Sequence, residues 1–251
     1  MFMKSFLNVI EKFAALARFP LPEAYLLPWP RFSLASYAVT ARLAGEGIAP
    51  RTVVDVGANT GQFTISCSKR FHRPIIHAFE PIFEAFQGLL AATTKLTEVT
   101  AYNIAIGERD GPVEFHVASD VQSSSILKQT KELGASFPDV AVTRTIQVEM
   151  KTLDTALYGV LPEAPVLLKL DVQGYETKVI EGARSFLDTV DYIVAETSFA
   201  PLYQGEGTFL RLVDALAERG FYFRRPVGIL VSPTTGAFLQ MDALFCRSHR
   251  A

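Results

Sequence analysis

The sequence is poor in the residues from which disulfide frameworks, metal centres and nucleic-acid surfaces are built. Its two cysteines, Cys67 and Cys246, lie too far apart in the chain for a metal-ligand spacing. Each reads as a small buried hydrophobe in a reducing, cytoplasmic setting. The four histidines, His72, His77, His116 and His249, show no metal spacing either, and no metal is expected. A formal net charge of −2 gives no global attraction to nucleic acid or acidic membrane. No apolar run approaches the ~18 residues of a membrane span, and no internal repeat or low-complexity tract is present. What is there is ample: hydrophobic residues make up 49% of a 251-residue chain. That is enough for one large domain, alone or with an appendage.

The amino terminus, MFMKSFLNVIEKFAALARF, resembles a signal peptide only superficially, because Glu11 and Lys12 interrupt it and no small-residue cleavage site follows. On a helical wheel, Phe2, Phe6, Ile10 and Phe13 fall on one half and Lys4, Asn8, Glu11 and Arg18 on the other. This amphipathic helix is expected to pack on the domain or across a homodimer interface, with membrane-surface contact as the alternative. The proline-rich FPLPEAYLLPWPRF then reads as a connector. A second helix is predicted over Ser33 to Ala44, ended by Gly45 and Gly47. Residues 1–46 are thus expected to form a helical extension and residues 47–251 the main domain.

From Thr52 the pattern alternates. TVVDV, PIIHAFE, EVTAYNIAI, VLLKLDV and DYIVAET read as strands, with helices predicted over Gly61–Phe71, Ile82–Thr93, Tyr175–Leu187 and Thr208–Arg219. PVEFHVA and RTIQVEM have β character on either side of a long polar segment. GFYFRRPVGILVS and GAFLQMDALFC face each other across PTTG, with no helix between them. The expected architecture is an α/β three-layer sandwich: a mostly parallel, Rossmann-like sheet with an antiparallel hairpin at one edge. Ligands of such sheets bind beyond the carboxyl ends of the strands. Asp55, Glu80, Asn103, Asp171 and Glu196 sit at or just past five such ends.

VVDVGANTG, residues 53–61, ends a strand in a glycine-rich turn that exposes backbone N–H groups at a helix start. Asn59 is among the few non-glycine residues that tolerate left-handed angles. Nineteen residues after Gly61, Glu80 ends the next strand, where a carboxylate can accept from both ribose hydroxyls. The dinucleotide pattern G-x-G-x-x-G is broken, because Asn59 stands at its second glycine and Gln62 at its third. Asp55 would repel a phosphate and suit a cation. A donor with a ribose, a sulfonium and an ammonium but no phosphate fits better, which points to S-adenosyl-L-methionine. Asp55, Gly57, Asn59, Gly61, Glu80, Asn103 and Ser124 are the candidate cofactor-binding residues. A nicotinamide-dependent oxidoreductase and a non-catalytic cofactor-binding scaffold are the competing readings.

DVGANTGQF, AFEP, NIAIG, SSSIL, KTLD, KLDVQGYE and QMDALFCR occur in the order seen in FkbM-type methyltransferases. The chain resembles that family over roughly Thr52 to Arg247. The resemblance implies a class I S-adenosylmethionine-dependent enzyme that methylates hydroxyl groups, often on sugars or polyketides. One departure is Gln173, where many such sequences carry Glu; a ligand or base role at that position would be weakened here.

Methyl transfer to oxygen requires an in-line approach and removal of a hydroxyl proton. Asp171 is the first candidate for the base or acceptor-holding group. Lys169 shares its face and can orient a carboxylate, and Glu196 can contact the acceptor. Asp171 and Glu196 together are too few carboxylates to assert a metal. Ser123 to Ser125 lie in the long polar segment, which is either a lid over cofactor or acceptor, or a disordered surface loop. The expected partner is a small-molecule or glycan acceptor; neither a nucleic acid nor a transmembrane span is expected.

Overall fold

The computed structural model describes residues 33–137, 140–231 and 236–248. The amphipathic segment, the proline-rich connector, most of the PTTG turn and His249 lie outside the described residues. Helix α1 (Leu34–Gly45) begins where Ser33 Oγ accepts from Ser36 N, a local N-cap. Then follow β1 (Thr52–Val56), α2 (Gln62–Arg70), β2 (Ile75–Phe79), α3 (Phe83–Thr93) and β3 (Val99–Tyr102). Strands β4 (Ala105–Ile106) and β5 (Gly111–Ala118) lead through a short 3-10 turn to α4 (Lys131–Ser136) and β6 (Val142–Lys151). The chain continues with α5 (Leu153–Ala156), β7 (Val166–Leu170), α6 (Glu176–Glu181), β8 (Tyr192–Ser198), α7 (Phe209–Ala217), β9 (Phe221–Val231) and β10 (Phe238–Arg247). No helix among the described residues is long and apolar enough to cross a membrane.

Seven strands form the central sheet in the order β3-β2-β1-β7-β8-β10-β9. The first five are parallel, whereas β10 runs antiparallel to both β8 and β9. Strand order reverses between β1 and β7, which opens the crevice at their carboxyl ends. Alternate side chains feed two different cores. Val54, Leu168, Ile193 and Ala243 pack on one face with Val179 of α6 and Leu212 of α7. Val53, Leu167, Val194 and Leu244 pack on the other with Leu43 of α1 and Phe63 of α2. Both faces are therefore covered, and the near-continuous apolar strands follow from that.

Two predicted elements differ from the structure. EVTAYNIAI is two strands, not one: β3 stays in the central sheet, whereas β4 leaves it and pairs with β6. The helix predicted over Tyr175–Leu187 is broken after Glu181, and a 3-10 turn over Phe186–Thr189 takes up the remainder. A Cβ on Gly182 would meet the carbonyl oxygen of Gly107 at 2.0 Å, so the chains touch backbone to backbone there. The small sheet β4-β6-β5 packs beside the crevice and supplies Ala105, Ile106 and Phe115 to its wall.

The helix α1, expected in the extension, is built into the domain. Tyr37, Val39, Thr40 and Leu43 are buried, and the helix packs on α2 and β9. The boundary expected at residue 46 follows an element that closes the crevice.

Candidate active site

A cavity of about 250 Å³ opens at the carboxyl ends of β1, β2, β7 and β8. Its start is the turn after β1. Gly57 N and Ala58 N both donate to Phe79 O, which ties the end of β1 to that of β2. Asn59 adopts φ +49, and its Oδ1 accepts from Thr60 N at 2.6 Å. Gly57 and Asn59 line the cavity, whereas Gly61 does not. The glycines answer first to the chain itself. With φ +83, Gly57 would place a Cβ 1.9 Å from Asp171 O, and Gly61, at φ +94, would place one 2.9 Å from Leu89 Cδ1.

Glu80 follows β2 directly and is buried at the cavity edge. Its Oε2 accepts from Asn59 N at 2.9 Å and its Oε1 from Ile82 N at 2.8 Å. Burial outweighs these donors and pushes the carboxyl up to about 7. A carboxylate has more acceptor sites than these two bonds fill, so it can still receive hydroxyls. Asn103 is not brought to the cavity: its amide donates to the carbonyls of Glu80 and Pro81 and braces that corner from outside. Ser124 does line the cavity, with Oγ accepting from Ala118 N at 3.0 Å. Ser125 exchanges backbone hydrogen bonds with His116, so this segment is an ordered wall laced to β5.

The chemistry-bearing groups share one face of the sheet, the face covered by α1 and α2. Asp55 is the register partner of Lys169, and Asp242 of Glu196. Lys169 Nζ, buried over the ring of Phe63, donates to Asp171 Oδ2 at 2.9 Å. Burial alone would lower the ammonium's proton affinity, but Asp171, Asp242 and Asp55 together hold it above its ordinary value. Asp55 is almost fully buried, and its Oδ2 accepts from Thr64 Oγ1 at 2.6 Å. Burial raises its carboxyl, with Lys169 opposing.

Both oxygens of Asp171 are engaged, since Oδ1 accepts from Gln173 Nε2 at 2.8 Å. Glu196 differs. Its Oε2 accepts from Gln173 Nε2 at 2.6 Å and Gln240 Nε2 at 3.0 Å, and no donor among the described residues reaches Oε1. Burial, then repulsion from Asp171 and Asp242, pushes its carboxyl well above the usual range. Glu176 stands apart from Lys169: its Oε1 accepts from Val172 N and Gly174 N, and burial raises it to about 8. Among the described residues, no group of three or more His, Cys, Asp or Glu is placed to hold a metal ion.

Of the ten residues the sequence singles out, Asp55, Gly57, Asn59, Glu80, Ser124, Lys169, Asp171 and Glu196 line this cavity, whereas Gly61 and Asn103 do not. Asp242 lines it too, while Gln240 and Tyr203 contact Glu196 and Gln173 from outside the lining; the sequence singles out none of these three. Asp242 lies early in an antiparallel strand, so the rule of carboxyl ends passes over it. The signal available was the register of QMDALFC against VAETS.

Comparison with known proteins places this geometry. The family model described as the methyltransferase FkbM domain matches residues 55–223. A 2-O-methyltransferase, NoeI, of Sinorhizobium fredii (strain NBRC 101917 / NGR234) is 26% identical over 187 residues, covering 70% of this chain and 75% of that protein. Methyltransferase 1 of Beauveria bassiana (strain ARSEF 2860) is 28% identical over 184 residues, covering 67% and 71%. The crystal structure of methyltransferase FkbM from Methylobacillus flagellatus KT superposes with a TM-score of 0.47 at 15% identity, covering 78% of this chain and 43% of that one. The turn after β1, the carboxylate after β2 and the charged end of β7 all fall within the matched span, and the chain belongs to the FkbM methyltransferase family, whose methyl donor is S-adenosyl-L-methionine.

Proposed function

We propose that the protein is an O-methyltransferase that acts on a hydroxyl of a sugar, a glycan or another small molecule in a cytoplasmic setting. The cavity fits the donor on charge. Among the described residues, Asp55, Glu80, Asp171, Glu196 and Asp242 line it with one cation, Lys169, which is already paired with Asp171. That leaves no free cation there for the phosphates of a nicotinamide cofactor, whereas each carboxyl that is ionised suits a sulfonium or an ammonium. In this reading Glu80 accepts from ribose hydroxyls, Asp55 and Asp171 face positive charge, and Ile82, Ile104 and Phe115 meet a heterocycle; all six line the cavity. When bound, S-adenosylmethionine supplies an electrophilic methyl group on a sulfonium.

The chain's own part is to position the acceptor and take its proton. The single observation that carries the reading is Glu196. It borders the cavity with one oxygen held by two amides and the other without a donor among the described residues. Raised proton affinity makes that oxygen a better base than an ordinary carboxylate. Asp171, tied to Lys169 and Gln173, is the weaker candidate for accepting a proton and the better one for holding charge. Transfer to oxygen is supported by the relative named as a 2-O-methyltransferase.

The test is transfer of labelled methyl from S-adenosylmethionine to a panel of sugars, glycans and polyhydroxylated small molecules by purified protein. Label in a hydroxyl-bearing acceptor is expected. Label only in amines or thiols, or in none of the panel, would set the reading aside.

A further inference from the structure

Gln173 occupies an unusual position. It has φ +54, a backbone conformation that side-chain-bearing residues seldom adopt, and Gly174 follows at φ +93. Such backbone persists where the surroundings over-determine it. Here Ser125 Oγ donates to Gln173 O at 2.8 Å, anchoring the turn to the wall opposite. Both donors of the side chain are used, and its oxygen accepts one bond. Nε2 donates to Asp171 Oδ1 at 2.8 Å and to Glu196 Oε2 at 2.6 Å, while Oε1 lies 3.0 Å from the hydroxyl of Tyr203.

The two carboxylates favour this facing of the amide, because turned over its oxygen would replace the NH₂ that donates to Asp171 and Glu196. Tyr203 has one proton to donate, shared between Gln173 Oε1 and Ser123 O at 3.1 Å. Its ring is buried among Leu133 and Leu202, so the donor is fixed in place. A neutral, rigid double donor thus spans the gap between two carboxylates that would otherwise repel.

We propose that Gln173 is a positioning residue for methyl transfer: its amide, aimed by Tyr203, clamps Asp171 and Glu196 as a pair and leaves Glu196 Oε1 as the atom that exchanges a proton. This rests on the reading of Glu196 as proton acceptor. The other charged and titratable groups facing Glu196 are Lys169 of β7, Glu176 of α6, Asp242 of β10 and Tyr203 of the loop after β8. None of them donates to both carboxylates at once, so their fields act on the pair without joining it.

The experiment compares the wild type with Gln173→Met, which keeps the length but has no donor, with Gln173→Glu, which turns the donor into a third carboxylate, with Tyr203→Phe, and with Gln173→Met and Tyr203→Phe combined. Three readouts are taken on each: kcat/KM against pH, S-adenosylmethionine affinity, and Mn²⁺ binding by electron paramagnetic resonance near pH 8. In Gln173→Glu the pH limb should move upward, because a like charge joins the pair. In Gln173→Met, kcat should fall on the order of 10²-fold through lost positioning, with cofactor affinity kept. Tyr203→Phe should shift the profile the same way by less, and should add nothing on top of Gln173→Met. Gln173→Glu should also gain Mn²⁺ binding that the wild type lacks, since three carboxylates then meet in one place. Wild-type profiles in both Gln173 variants, or a full additive loss from Tyr203→Phe, would overturn the clamp. So would absence of any Mn²⁺ gain in folded Gln173→Glu. If no hydroxyl acceptor is found, the function reading fails on its own, while the Mn²⁺ comparison still decides whether Gln173 holds the carboxylates together.

Discussion

Lys169 Nζ lies 2.9 Å from Asp171 Oδ2, so this carboxylate has a buried cation as its partner, whereas Glu196 Oε2 is held only by the amides of Gln173 and Gln240. Lys169 is 6% exposed in its side chain and Asp171 34%, so the pair is half sheltered. Removing the carboxylate leaves a buried ammonium that still faces Asp55, Asp242 and Glu196 but has lost its hydrogen-bonded partner. Asp171→Asn should therefore cost stability, about 1–3 kcal/mol, below the 3–5 of a fully buried broken pair. Chemical denaturation measures it; an unchanged midpoint would mean the pair does not hold the site.

Glu80 should set cofactor affinity. Glu80→Gln keeps the shape but turns an NH₂ toward a backbone donor and loses charge-assisted bonds to ribose. Affinity for S-adenosylmethionine should fall by roughly 1.5–3 kcal/mol, read by calorimetry. Because the wild-type carboxyl titrates at about 7, affinity should climb with pH up to that region and then level. The variant should lack this rise. Equal affinity and equal pH dependence in both proteins would remove Glu80 from the site.

The same burial should make the cofactor-free fold sensitive to pH. Burial pushes Glu80 and Glu176 up to about 7 and about 8 when folded, from an ordinary glutamate value of 4.5. Both bind protons more tightly folded than unfolded. Stability is thus fully present below about 4.5 and is lost as pH rises through 7 to 8. The slope is at most about 1.4 kcal/mol per pH unit for each group. Melting temperature should fall across this window, and Glu176→Gln, which keeps an acceptor for Val172 N and Gly174 N, should flatten part of the fall. A melting temperature that rises with pH over the same window would contradict this.

Much of the fold was legible because its determinants are local. TVVDV, IIHAF and VLLKL are short apolar runs buried on both faces, and each is a parallel strand. Glu80, Asp171 and Glu196 were legible because strand ends project into the crevice. The rest depended on contacts between distant residues. The Gly182–Gly107 approach that breaks the helix after β7 joins segments 75 residues apart. Apolar spacing runs through Asn103 without a break, so the sequence could not show that β4 leaves the sheet. The glycines of the turn after β1 are visible in the sequence, but the contact that forbids a Cβ on Gly57, the carbonyl of Asp171, comes from the end of a strand more than a hundred residues away.

That contact makes its own prediction. Gly57→Ala forces both a positive φ and a clash with backbone, so it should destabilise by at least ~2 kcal/mol. Loss of cofactor binding would accompany loss of fold rather than precede it. A variant with wild-type melting temperature would show that the β1 and β7 ends can separate.

The helix α1 gives a pair of truncations. Ser33, Ser36 and Val39 line the cavity, and Tyr37 and Leu43 are wholly buried. A chain starting at residue 31 should keep cofactor binding, and a change in its oligomeric mass by light scattering would favour packing of residues 2–18 across a homodimer interface over packing on the domain. A chain starting at residue 47 should lose binding and aggregate. Cofactor binding by the shorter chain would contradict the role given to α1.

The most direct test of the account is kcat/KM against pH, on a hydroxyl acceptor, for the wild type and Glu196→Gln. The wild type should rise with pH along a limb set above the ordinary carboxylate range, as an open oxygen on Glu196 loses its proton. Glu196→Gln should bind S-adenosylmethionine normally, lose that limb, and turn over roughly 10²–10⁴-fold more slowly. Wild-type turnover with the limb intact in Glu196→Gln would contradict the account.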